Sequence, residues 1–442
     1  MTQDQPRLHR RCSSAQQFLL YKTDPKSGAD ISGGKPSIGW DDLSKEFPDI
    51  LSGNSFVEQA MASLDSSSKF GVMVVRIDTD DVSGNINQAE IMVDVAKTIN
   101  AICKRDDRIW GWLDPDVLAC FFSETNAAFC LELTKKLQNN LAEHRYETVS
   151  TGIASYPFVD FKKDEIIDNA LKALNHATFF GPNSVVSFDA VSLNISGDQL
   201  YQKGDINGAI EEFKKALLID PSNVNVHNSL GVCYGGLGAY EKAIKSFEAA
   251  IQLDPGEVMA VYNAGLANSL INNKDKALEH FLQADSLGEE LFEVAFQTGK
   301  LYLEKGQFKK GRNFLEKAIR LRPESGPAFR YLGECYAVLK MIDEALAAYK
   351  KAIKQNPGDA DSLSALGYLL DVQGESIEIS TIFCQQSVEI SPDNGLFRHR
   401  LGQLYLKQNQ LEDALKEFKR ADDLGCDSTE FIEKARNLML EA

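Results

Sequence analysis

The chain has no run of apolar residues approaching the ~20 needed for a membrane-spanning helix. No apolar segment follows the opening residues 1–11, so no signal peptide is predicted. Basic residues are in deficit, since 47 Lys and Arg against 64 Asp and Glu leave a net charge of −17. We therefore expect a cytoplasmic protein that does not insert into membranes. We also expect no binding of nucleic acid, whose phosphates are held mainly by Lys and Arg.

Recognisable metal and nucleophile motifs are absent as well. Eight cysteines and six histidines are scattered without C-x-x-C or paired Cys/His spacing. Most of the cysteines fall in apolar segments, where cysteine behaves as a small hydrophobic residue. No G-x-S-x-G motif appears, and residues 32–37 lack the spacing of a phosphate-binding loop. We therefore expect no metal, no cofactor and a reducing environment.

A 34-residue period organises the chain from about Val191 onward. Glycine returns at five intervals of 34 and one of 35, at Gly197, Gly231, Gly265, Gly299, Gly333, Gly367 and Gly402. Small and aromatic residues follow at fixed offsets, as at Tyr234, Ala243, Phe247 and Ala250. The pattern resembles the tetratricopeptide repeat, a helix–turn–helix unit. It predicts an all-α solenoid of seven repeats over residues 191–427, followed by a capping helix over residues 428–442.

The resemblance implies a concave face, lined by the first helix of each repeat, that binds a protein or peptide. Packing between repeats is the alternative for any aromatic residue on that face. The Lys/Asn pattern with which some repeat proteins hold a C-terminal carboxylate is absent, so that ligand is not predicted. By repeat register, the predicted groove residues are Asn194, Asn228, Tyr262, Leu266, Phe296, Lys300, Arg330 and Tyr368.

The N-terminal part has a different texture. Residues 1–68 are predicted to be poorly structured, with short helices between Trp40 and Leu64. Over residues 69–190, apolar runs and helical periodicities alternate in the order β-α-β-β-α-β-α-β. This order predicts an α+β domain with helices packed on one side of a mostly antiparallel sheet.

Two stretches of this domain resemble the GGDEF domain of diguanylate cyclases, which is largely bacterial. Residues 148–154 (TVSTGIA) are similar to one of its strands, and residues 170–185 are similar to its C-terminal segment. The resemblance places the signature Gly-Gly-Asp-Glu-Phe turn at residues 113–117, which here read Leu-Asp-Pro-Asp-Val. The family uses that turn to hold nucleotide phosphates and divalent cations.

The family's catalytic pattern is degraded in this sequence. Leu113 and Asp114 replace the two glycines, and Arg76 occupies the first metal-binding acidic position. The resemblance leaves Asp78, Asp114 and Asp116 as a vestigial metal or nucleotide site. It places a remnant of the family's inhibitory site at Lys104, Arg105 and Asp107, for which a solvated charge run is the alternative.

These features predict a non-catalytic bacterial adaptor whose repeat groove binds a protein partner. One alternative is a sensor in which the GGDEF-like domain binds a nucleotide or cyclic di-GMP and regulates the repeats. Another is an active diguanylate cyclase using GTP and Mg²⁺, against which Arg76 argues most directly. The oligomeric state stays open, a homodimer included.

Overall fold

The structure is a computed structural model that describes residues 40–78, 88–103, 108–114 and 116–441. The chain divides after Asn263 into two compact units. The strands of the first unit are β1 (Phe70–Asp78), β2 (Arg108–Asp114), β3 (Val117–Ser123), β4 (Thr148–Tyr156) and β5 (Val185–Ser187). Its helices are α1 (Trp40–Glu46), α2 (Gly53–Ser63), α3 (Gln88–Ile102), α4 (Ala127–Ala142), α5 (Ile166–Ala177), α6 (Ala190–Gln202), α7 (Ile206–Ile219), α8 (Val224–Gly236) and α9 (Tyr240–Leu253).

The second unit is helical, and α10 (Val258–Leu270) crosses the division. Its other helices are α11 (Lys274–Ser286), α12 (Phe292–Glu304), α13 (Phe308–Leu321), α14 (Gly326–Val338), α15 (Ile342–Gln355), α16 (Ala360–Val372), α17 (Ile377–Ile390), α18 (Gly395–Lys407), α19 (Leu411–Asp423) and α20 (Thr429–Glu441).

The sheet of the first unit has the strand order β2-β3-β1-β4-β5. All neighbouring pairs are antiparallel except β4 and β5, which are parallel. The predicted order of strands and helices and the mostly antiparallel sheet are therefore confirmed. The short helices predicted between Trp40 and Leu64 are observed as α1 and α2. Residues 1–39 of the segment predicted to be poorly structured lie outside the described residues.

The prediction that helices cover one side of the sheet is wrong, because both faces are covered. Val72 and Val74 of β1 belong to a core that includes residues of α2 and α5. Met73 and Val75 point the other way, into a core that includes residues of α3 and α4. Residues 70–75 are an unbroken buried run, which is the pattern of a strand covered on both faces.

The sheet and the first repeats share one hydrophobic core. The cluster that contains Phe70 also contains Leu193 of α6, Phe213 of α7 and Val226 of α8. Helix α6 begins at Ala190, directly after the short β5 strand. The α+β domain therefore continues into the first repeat without a linker.

The repeats are pairs of antiparallel helices, from α6 and α7 to α18 and α19. A residue with positive φ lies in the turn inside each pair, at Gly204, Gly238, Asn272, Gly306, Lys340, Gly374 and Asn409. These positions follow the 34-residue period. The extra residue of the sixth repeat lies in this turn, because two residues separate Gly374 from α17 whereas one separates Lys340 from α15.

The period has its cause in the close approach of the two helices. A Cβ added to Gly231 would lie 2.5 Å from a ring carbon of Phe247, and one added to Gly402 would lie 2.8 Å from Phe418. Leu315 and Cys384 take the place of the aromatic residue in the fourth and sixth repeats. The predicted final helix is present as α20, whose Phe431 ring packs 5.2 Å from that of Phe418.

Candidate functional site

The predicted vestigial site lies at one end of the sheet, where Asp78 closes β1. The Asp78 carboxylate accepts hydrogen bonds from the Thr148 hydroxyl, the Ser150 hydroxyl and the backbone N–H of Asn183, each at 2.7 Å. These three bonds join β1, β4 and the turn that precedes β5. Both carboxylate oxygens thus accept hydrogen bonds from the protein itself, and Asp78 holds these three segments together.

Asp114 and Asp116 flank the turn between β2 and β3. The register pairs Val117 with both Arg76 and Asp114, so this turn lies beside the arginine. Partial burial and the negative charge of Asp116 raise the pKa of Asp114. Within the described ranges, no group of three or more His, Cys, Asp or Glu side chains is arranged to hold a metal. Lys104, Arg105 and Asp107, the predicted inhibitory remnant, lie outside the described residues.

The predicted groove residues of the first unit are largely buried. Asn228 is 2% exposed, and its side-chain oxygen accepts a hydrogen bond from Asn263 Nδ2 at 3.0 Å. Asn194 is partly buried, and one turn later Asp198 is 8% exposed. Among the described residues, Oδ1 of Asn194 and Oδ1 of Asp198 have no hydrogen-bond partner. This part of the predicted groove offers a ligand little surface.

Burial raises the pKa of Asp198 to about 7. This pKa is higher than the pKa of an aspartate in the unfolded chain, so ionisation of Asp198 opposes folding. The free energy of unfolding therefore falls as the pH rises from about 4 to 7. We expect Asp198→Asn to raise the free energy of unfolding at pH 8 by about 1–3 kcal/mol and to change it little at pH 4. Urea denaturation at the two pH values measures this difference. An equal effect at both would contradict the assigned ionisation.

Two further predicted groove residues also lie in the interior. Tyr262 and Leu266 of α10 are each 3% exposed. For Tyr262, packing inside the protein, the alternative given by the sequence, is what the structure shows. The position of a residue in the repeat predicts which face of its helix it occupies. How far that face is exposed to solvent depends on the side chains of neighbouring helices.

The second unit presents an aromatic and charged surface on α12, α14, α16 and α18, which we term the first-helix face. Phe292 and Phe296 of α12 stack with ring centres 5.4 Å apart, and Phe296 lies 5.8 Å from Tyr331 of α14. Two cations also lie over the Tyr331 ring: Lys300 Nζ is 5.8 Å from the ring centre, and the Arg330 guanidinium carbon is 4.7 Å from it. The predicted residues Phe296, Lys300 and Arg330 are thereby brought together.

Ion pairs continue this face from α14 to α16. Arg330 Nη1 lies 2.6 Å from an oxygen of Asp361 and 3.7 Å from one of Asp359. Burial and the charge of Asp361 raise the pKa of Glu334, while Arg330 opposes the shift. Farther along α16, the predicted residue Tyr368 is 40% exposed. This face therefore keeps an accessible aromatic side chain between charged groups.

Sequence register missed Arg400 of α18, whose guanidinium lies 5.0 Å from the centre of the Tyr368 ring. The neighbouring residue on α18, His399, lies against the capping helix instead. That imidazole is held by Ser428 Oγ at 2.7 Å and packs on Phe431 of the capping helix. A side chain one position farther along α18 thus reaches α16, and no motif in the sequence marks it.

Within the described part of the chain, no helix is both long enough and apolar enough to cross a membrane. Profiles of the tetratricopeptide repeat family match residues 197–238, 224–257, 296–360, 348–379 and 383–416. The predicted repeat array is thereby confirmed. The GGDEF resemblance of residues 69–190 remains a prediction.

Three similar proteins illustrate the match. "Protein CTR9 homolog" from Arabidopsis thaliana is 26% identical over 131 residues, which are 28% of this chain and 12% of that protein. The solved structure "Crystal structure of MamA" is 32% identical, with 37% of this chain and 96% of that chain covered and a TM-score of 0.35. "Crystal structure of YrrB: a TPR protein with an unusual peptide-binding site" is 24% identical, with 43% and 97% covered and a TM-score of 0.40.

Proposed function

We propose that this tetratricopeptide repeat protein is a non-catalytic, cytoplasmic bacterial adaptor whose first-helix face binds a protein segment. The observation that carries the proposal is the line of aromatic and charged side chains from Phe296 through Tyr331 and Arg330 to Tyr368. Aromatic residues and arginine are the usual energetic anchors of protein interfaces. Stacked repeats characteristically present such extended binding surfaces.

The α+β domain is proposed to be a degenerate GGDEF domain without cyclase activity. Two features of its sheet end support this proposal. The carboxylate of Asp78 accepts three hydrogen bonds from the protein itself, and Arg76 lies beside the turn that carries Asp114 and Asp116. An arginine at this place repels the divalent cations that cyclase chemistry needs.

Isothermal titration with GTP and Mg²⁺, and separately with cyclic di-GMP, tests whether the domain still binds these nucleotides. Cyclase activity requires that GTP bind. We expect no heat of binding at protein concentrations near 100 µM, which excludes dissociation constants tighter than about that level. Heat with GTP that disappears in Asp116→Ala would restore the cyclase hypothesis. Heat with cyclic di-GMP alone would instead indicate a sensor.

Peptide binding is tested with phage that display short random peptides, selected on the full-length protein. We expect enriched sequences whose synthetic peptides bind roughly tenfold or more weakly to Tyr368→Ala, because an exposed aromatic anchor is lost. Tyr146→Ala is the matched control, since Tyr146 is fully exposed and lies outside the first-helix face. Equal affinity of the Tyr368→Ala variant and the unchanged protein would place the binding site elsewhere.

A further inference from the structure

Arg400 lies where the interior of the second unit meets the first-helix face. Its Nη1 donates a hydrogen bond to Ser364 Oγ at 3.0 Å, and its guanidinium lies over the ring of Tyr368. Ser364 is completely buried, whereas Tyr368 is 40% exposed. Arg400 is itself partly buried, and its guanidinium joins a buried hydroxyl to an exposed ring.

The charge of Arg400 is not neutralised as its neighbours' charges are. Arg330, Arg398 and Lys407 each have a carboxylate oxygen within 2.7 Å. For Arg400, the described residues provide no carboxylate oxygen within 4.0 Å of a guanidinium nitrogen. A hydroxyl and an aromatic ring are its direct partners, and both are electrically neutral.

A partly buried guanidinium without a nearby carboxylate lowers the stability of the folded state unless an anion binds to it. Burial lowers the pKa of Arg400, while the more distant charge of Asp361 acts in the opposite direction. A charged group removed from water without a counter-charge destabilises the folded state. The guanidinium has five N–H donors, and its planar fork matches the two oxygens of a carboxylate.

We propose that Arg400 is the receptor for one acidic side chain of the peptide bound on the first-helix face. This inference rests on the peptide-binding function proposed above. In the bound state a carboxylate of the peptide accepts hydrogen bonds from the guanidinium nitrogens that Ser364 does not use. The exposed ring of Tyr368 offers an adjoining contact for an apolar or aromatic residue of the same peptide.

The surroundings restrict the peptide to a single acid. Tyr349 lies near Arg400, since each acts on the other's pKa. The negative charges of Glu334 and Asp361 also act on Tyr349, so both acids lie in the surroundings of Arg400. The whole chain has a net charge of −17. A run of acidic residues would be repelled, because like charges at an interface disfavour binding. We therefore expect one Asp or Glu flanked by neutral or basic residues.

The experiment selects the same displayed peptide library on the unchanged protein, on Arg400→Gln and on the control Arg420→Gln, whose arginine pairs with an exposed partner, Asp393 at 3.5 Å. We expect one fixed acidic position in the peptides from the unchanged protein and from Arg420→Gln, and its loss with Arg400→Gln. In a synthetic peptide, Glu→Gln at that position should weaken binding roughly tenfold or more to the unchanged protein and barely at all to Arg400→Gln. Such a cycle isolates the pairwise interaction.

Other outcomes separate this inference from the proposed function. Enriched peptides without a fixed acidic position, or with one that Arg400→Gln retains, would overturn the inference and leave peptide binding intact. No enrichment on the unchanged protein would overturn both. Thermal unfolding of Arg400→Met adds an independent measurement. A lower midpoint together with an unchanged peptide preference would make Arg400 a structural link between α16 and α18.

Discussion

Replacing Gly152 with alanine should lower the free energy of unfolding of the first unit by about 3–5 kcal/mol. A Cβ at this position of β4 would overlap the carbonyl oxygen of Ala170 and the amide nitrogen of Leu174, and it would lie 2.8 Å from the Leu174 Cα. All three atoms belong to the backbone of α5. No change of side-chain rotamer can relieve the overlap, so the helix must move away from the sheet.

Urea denaturation followed by circular dichroism measures this loss in the full-length protein. Gly236→Ala is the control, because a Cβ there would meet only Ile206 Cδ1, at 3.8 Å. That variant should unfold close to the midpoint of the unchanged protein. A Gly152→Ala protein that also unfolds at the unchanged midpoint would show that β4 and α5 are not packed this closely in solution.

Lys172→Met should lower the free energy of unfolding by about 3–5 kcal/mol, because it leaves the buried carboxylate of Glu212 without its counter-charge. Lys172 Nζ lies 2.8 Å from an oxygen of Glu212, and both side chains are 10% exposed. A second contact, to Asp168 at 2.7 Å, reaches an exposed residue that water can solvate. The pair joins α5 of the α+β domain to α7 of the first repeat, so its loss also weakens their shared core.

The double variant Lys172→Met, Glu212→Leu distinguishes the charge from the packing. It should recover most of the lost stability, because apolar residues often replace a buried ion pair without cost. Lys214→Met is the matched control, since Lys214 pairs with Glu211 at 2.8 Å on an exposed surface. Exposed pairs contribute at most about 1 kcal/mol. A double variant as unstable as Lys172→Met would contradict an electrostatic origin.

Local patterns in the sequence were sufficient to predict most of the secondary structure. The order of strands and helices predicted over residues 69–190 is the order observed, from Phe70–Asp78 to Val185–Ser187. The repeats were predictable because the approach of two helices requires a glycine opposite a large side chain, as at Gly231 and Phe247. Both signals act within one element or one helix pair.

Features that depend on distant parts of the chain were not predictable in the same way. The apolar run of β1 has two covered faces only because α2 and α5 return to one of them. Tyr262 occupies a predicted groove position but is buried by its neighbours. Arg400 is significant because of what α16 presents to it, 36 residues earlier at Ser364. A single sequence does not encode such encounters as a local pattern.

The turns inside the repeats have a consequence for how the array can change in evolution. Residues with positive φ recur at one fixed position in each helix pair, as at Gly306 and Lys340. A duplication or deletion of 34 residues that joins two equivalent turns keeps every helix in phase, whereas loss of one residue inside a helix rotates all later residues by about 100°. The sixth repeat has gained its additional residue beside Gly374, outside any helix. Array length can therefore vary in whole repeats, while insertions within a repeat are tolerated at its turns.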